Sequence, residues 1–134
     1  MAAVFLVVVV GAFIAFLAAQ ANVQQTTSVE DFESARAFQA AKAGIEYGAY
    51  KIQNGGGCAG AATTLTFAGT TLAEFTATVG CTSESLTEGA NTVVVYQLTS
   101  NACNIPAAGA CPNGGASANV GTYVDRELKA TIAR

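Results

Sequence analysis

The first nineteen residues, MAAVFLVVVVGAFIAFLAA, carry no charged side chain. That single feature restricts the possible folds more than any other. A helix needs about 20 apolar residues to cross a bilayer, and this run has nearly that length. It can serve as a signal sequence, as a membrane span, or as a surface that packs on copies of itself. A secretory signal carries a basic stretch ahead of its apolar core and a small-residue cleavage site behind it. No Lys or Arg precedes this run. We therefore expect a mature chain from which a basic leader has been removed and in which the apolar run is retained.

The next segment, QANVQQTTSVEDFESARAFQAAKAGIEYGAYKIQ, has no proline, and its only glycines are Gly44 and Gly48. Nothing in it stops a helix, so one helix is predicted from near Met1 to Gln53, about 80 Å long at 1.5 Å per residue. From Val29 onward the pattern becomes amphipathic. Phe32, Ala35, Phe38, Ala41, Ile45, Ala49 and Ile52 recur at threes and fours, while Glu33, Arg36, Lys42 and Glu46 fall elsewhere. These seven apolar residues are expected to pack the helix on a small head. The expected division is residues 1–28 as an apolar stem and residues 29–134 as a head. A head of this size cannot cover so long a rod. The stem must be buried by lipid, by other subunits, or by each in turn. Ala2, Ala3, Gly11, Ala12, Ala15, Ala18 and Ala19 would let helices approach closely.

After the break NGGGCAGAA the hydrophobic period changes to two. TTLTFAG, AEFTATVGCT and NTVVVYQLTS read as strands, and TYVDRELKATIA places Val124, Leu128, Ala130 and Ile132 on one face. Between the third and fourth strands lies NACNIPAAGACPNGGASANVG, a loop with two prolines and several glycines. The expected fold class is α+β: a long N-terminal helix, apolar and then amphipathic, packed on an antiparallel sheet of about four strands.

The four cysteines, Cys58, Cys81, Cys103 and Cys111, show no pair at the spacing of a structural zinc site, and the chain has no histidine. Disulfides are the better reading, with free thiols as the alternative. Of the three connectivities we favour Cys58–Cys81 and Cys103–Cys111, because each closes a loop with little local structure of its own. Such bridges belong outside the cytoplasm. Catalysis is poorly supplied. Glu30, Asp31 and Glu33 read as a solvated acidic patch, and NGGGC and NGGAS lack the lysine and spacing of a phosphate loop. No cofactor, metal or catalytic residue is expected. The net charge of −3 and scattered basic residues leave nucleic acid no principal role.

The whole pattern resembles a type IV pilin or pseudopilin. More narrowly, SARAFQAAKAGIEYGAY, FTATVGC, VYQLTSNA and YVDRELKATIAR resemble the MshP family associated with mannose-sensitive haemagglutinin-type pili. The resemblance implies a precursor held in the bacterial inner membrane, trimmed by a prepilin peptidase, N-methylated, and drawn by an assembly machine into an extracellular filament. Its partner is then itself, in a helical homopolymer. The core of that filament is expected to use Met1, Val4, Phe5, Val8, Gly11, Ala12, Phe13 and Phe16.

One position departs from the pilin pattern. Most pilins carry a glutamate at mature position five, where it neutralises the amine of a neighbour. This chain has Phe5. Burying an ammonium without a partner is costly, a cost that a minor subunit at the filament tip, alongside other minor pilins, would avoid. Against that, Phe5, Phe13 and Phe16 add apolar contact area for a repeating core. The balance favours a bulk structural subunit, with a minor or tip-priming pilin, or an adhesive module displayed through the loop from Asn101 to Gly121, as the alternatives. No Asn-X-Ser/Thr sequon is present.

Overall fold

The structure, a computed structural model, describes residues 2–58, 60, 62–115, 118 and 121–134, with the backbone alone at residues 2 and 21–26. One helix, α1 (Ala2–Gln53), precedes four strands: β1 (Thr63–Thr66), β2 (Thr76–Glu88), β3 (Asn91–Cys103) and β4 (Asp125–Ala133). The fold is α+β, with one antiparallel sheet in the order β1-β2-β3-β4. By internal packing the chain forms two compact units, Met1–Phe32 and Glu33–Arg134, called stem and head below.

Within the head, α1 ends where its glycines allow. Gly55 adopts a φ of 80°. The Gly56 N–H donates to Lys51 O at 2.9 Å, and the Gly55 N–H donates to Ile52 O at 3.2 Å. This pair of bonds is the Schellman stop, which needs a left-handed residue that glycine supplies without strain. Arg134 reinforces it from β4's end, donating to Ile52 O at 2.9 Å. The last helical carbonyls thus receive both backbone donors and a cation suited to the negative end of the helix dipole.

β2 and β3 pair from Thr76↔Cys103 to Glu88↔Asn91, leaving only Gly89 and Ala90 in the turn. Gly89 sits at a φ of 63°, which a two-residue hairpin turn demands. β1 covers β2 only from Thr76 to Val79. β4 pairs with β3 from Val95 to Cys103.

The core lies between the head half of α1 and one face of the sheet. Ala37, Ala40 and Ala41 pack with Phe75, Ala77 and Ala102, and Ile52 packs with Val79 and Leu98. Val124, Leu128, Ala130 and Ile132 line the same face, as their spacing predicts.

The helix face differs in part from the expected stripe. Ala41 and Ile52 are buried, and Ile45 and Ala49 are half-buried against the sheet, but Phe32, Ala35 and Phe38 are exposed, Phe32 at 63% and Phe38 at 43%. Their places are taken by Ala37, Ala40, Gly44 and Gly48. The reason is steric. Gly48 lies so near Leu98 that an added Cβ would sit 2.8 Å from Leu98 Cδ2, and one at Gly44 would collide with Ser100 Oγ. A row of small residues spaced three and four apart lets the helix backbone rest on the sheet, whereas Phe38 would hold it away. Close packing outweighs side-chain area here.

Candidate functional site

Taken alone, the stem is an apolar surface without cover. Ala3–Gln20 is long and apolar enough to cross a membrane, with a mean hydropathy of 2.6. Of the expected core residues, Val4, Phe5, Val8, Phe13 and Phe16 are each at least 59% exposed, and Gly11 and Ala12 are exposed too. Met1 lies outside the described residues. Gly11 forms a notch among Leu6, Val7, Val10 and Ile14, and an added Cβ there would meet nothing within 4 Å. Eleven large apolar side chains between Val4 and Leu17 are exposed. At roughly half burial still to gain, each is worth about 1 kcal/mol. Their total rivals the 5–15 kcal/mol or so of a typical domain's whole net stability. A surface of this kind does not stay in water.

The head carries the two disulfides in the favoured connectivity, Cys58–Cys81 and Cys103–Cys111. The second lies under the long loop between β3 and β4. There the Cys111 N–H donates to Thr78 Oγ1 at 2.8 Å, and the Asn113 side chain donates to Ile105 O at 2.9 Å. Asn104 closes the base of the loop, donating to Thr122 O at 2.7 Å and accepting from the Val124 N–H at 3.0 Å. These bonds satisfy polar groups of the loop's described residues.

Several charged groups of the head pair with one another. Arg36 binds Glu33 at 2.9 Å and Glu74 at 3.3 Å, donates to Thr71 O, and lies 5.3 Å from the centre of the Phe75 ring. It pins the β1–β2 connection to the helix. Arg126 donates to Ser34 Oγ. Lys42 faces Glu46 at 3.8 Å, and Lys129 meets Glu127 at 2.8 Å. The hydrogen bond from Lys129 holds the Glu127 carboxyl below the usual carboxylate range. Glu30 and Asp31 are exposed on α1. Among the described residues, no three His, Cys, Asp or Glu side chains converge at metal-binding distance.

Sequence reasoning did not anticipate the Arg36 clamp or the Arg134 cap. Each joins residues far apart in the chain, and no local pattern announces such a pairing. Compared with family models, with curated proteins and with solved structures, the chain matches none.

Proposed function

We propose that the protein is a structural subunit of a type IV pilus-like filament, held in a membrane by its stem and then polymerised through it outside the cell. One observation carries the reading: an uncharged apolar helical segment, wholly exposed, on a chain whose head already has its own core and two disulfides. The head does not need the stem to complete its core, so the stem is available for another partner. Lipid can cover it at first and sibling stems afterwards, since side-by-side apolar helices with notches at Gly11 and small residues pack as closely as they do in membranes. The type IV pilin resemblance of the head segments supports the same reading. A prepilin peptidase and an assembly machine are the further partners it implies.

A second reading is favoured by Phe5, which is 68% exposed. Without a carboxylate at that position, a neighbour's amine has no partner, and a minor subunit that starts or tips the filament would not need one. Shearing cells and counting copies in the released fibres decides between the two. A bulk subunit dominates the fibre protein, and a tip subunit is present at a few copies per fibre. Absence from sheared fibres, with all the protein left in the membrane, contradicts both. A chain lacking residues 1–28 should never enter the fibres.

A further inference from the structure

The two disulfides sit in unlike surroundings. Cys103 is 0% exposed and Cys111 4%, and the Cys111 N–H is bonded to Thr78 Oγ1 of β2. Cys58 and Cys81 are only half-buried. Cys81 lines a cavity of about 40 Å³ together with Tyr47, Gly48, Lys51 and Thr63. That volume admits little more than a water molecule, but the cavity lies at the protein surface beside the bridge. Lys51 is exposed and its ammonium stands 5.4 Å from the centre of the Tyr47 ring, and Lys51 and Cys81 both line the cavity. Position along the sheet matters as well. β1 protects β2 only as far as Val79, and Cys81 lies just past that point. The bridge therefore fastens the segment after α1 to β2 just past the end of its pairing with β1, while β3 still pairs with β2 there.

We propose that Cys58–Cys81 is a releasable clip, opened by thiol–disulfide exchange with a low-molecular-weight thiol while Cys103–Cys111 stays closed. A thiolate of the reductant attacks Cys81 Sγ, the Sγ–Sγ bond breaks, and Cys58 leaves as a thiolate that takes a proton from water. A second thiolate then attacks the reductant's sulfur in the mixed disulfide and frees Cys81, which is protonated in turn. Two electrons pass to the protein, and two reductant thiols end as one disulfide. Lys51 favours the first step by drawing the anionic thiolate of the reductant toward the cavity. Opening the clip frees Cys58 from β2 and leaves the helix cap and the helix-to-sheet core in place. This inference is independent of what covers the stem.

The test is graded reduction of the full chain in detergent micelles, first with glutathione and then with a neutral phosphine, followed by alkylation and peptide mass spectrometry. Circular dichroism of the same samples reports whether the fold survives. The expected result is alkylation of Cys58 and Cys81 at least about tenfold faster than of Cys103 and Cys111, with the folded spectrum unchanged. Lys51→Gln should slow the glutathione reaction several-fold and leave the phosphine reaction unaltered. Equal rates at the two bridges, earlier opening of Cys103–Cys111, or opening only together with loss of the folded spectrum would overturn the clip. Equal glutathione rates in Lys51→Gln and the parent chain would remove Lys51 from it.

Discussion

At the residue scale, Gly44 leaves the least room for a side chain of the described glycines, because it rests against Ser100. A methyl at Gly44 would collide with Ser100 Oγ and meet Val79 Cγ2 at 3.0 Å, so Gly44→Ala should destabilise the head by about 2 kcal/mol in urea unfolding. Ser100 Oγ is also a buried oxygen with no hydrogen-bond partner among the described residues. Removing it relieves the collision and an unsatisfied group together. Ser100→Ala in the Gly44→Ala background should therefore recover part of the loss, with a coupling of at least about 0.5 kcal/mol. Strict additivity would show that the contact is absent. Gly44 and Gly48 were visible in the sequence as two glycines four apart in a helical pattern, a choice that propensity disfavours. Their meaning depends on Ser100 and Leu98, which lie some fifty residues away and are adjacent only after folding. Glu127 gives a prediction of pH dependence. Its pKa is depressed by the hydrogen bond from Lys129 and by that charge, so the contact favours the folded state above the ordinary carboxylate pKa and is lost as pH falls through the depressed value. Carboxyl NMR should find Glu127 titrating below a free glutamate, with Lys129→Ala returning it toward the ordinary range.

At the scale of elements, the alternation of β-branched and polar residues placed all four strands, and the glycine-rich break after Gln53 placed the end of α1. Both signals are local, because period two and positive-φ turns act within a few residues. The rotation of the helix face was not legible. Phe32, Ala35 and Phe38 satisfy an amphipathic pattern by hydrophobicity alone, while the choice between faces is made by how near the helix can lie to the sheet. Arg134 was equally hidden, since its carbonyl partners belong to α1 and its backbone to the sheet, where it exchanges hydrogen bonds with Val94 at 2.8 and 2.9 Å. Arg134→Met keeps much of the apolar stem of the side chain and removes the cap. We expect a loss of about 1–2 kcal/mol and faster amide exchange at Gly55 and Gly56, whose donors close the helix. Unchanged exchange at those two amides would mean that glycine alone stops α1.

At the scale of the whole molecule, the chain combines a head that completes its own core with an apolar stem that does not. The head is small and rich in alanine at its centre, so its two bridges matter. Closing loops of this length constrains the unfolded chain by roughly 2–3 kcal/mol each. Among the described residues the core clusters are built from head residues, and the stem's apolar surface exceeds what a marginally stable domain can leave in water. The proposed assembly requires that sibling stems touch this stem outside the cell. The most direct measurement places a benzophenone amino acid at Phe13 in the full chain and irradiates sheared extracellular material and membranes separately. Assembly through the stem predicts a ladder of covalent dimers and higher oligomers in the extracellular material, with lipid adducts confined to the membrane fraction. Lipid adducts alone, with no protein–protein product in any fraction, would contradict it.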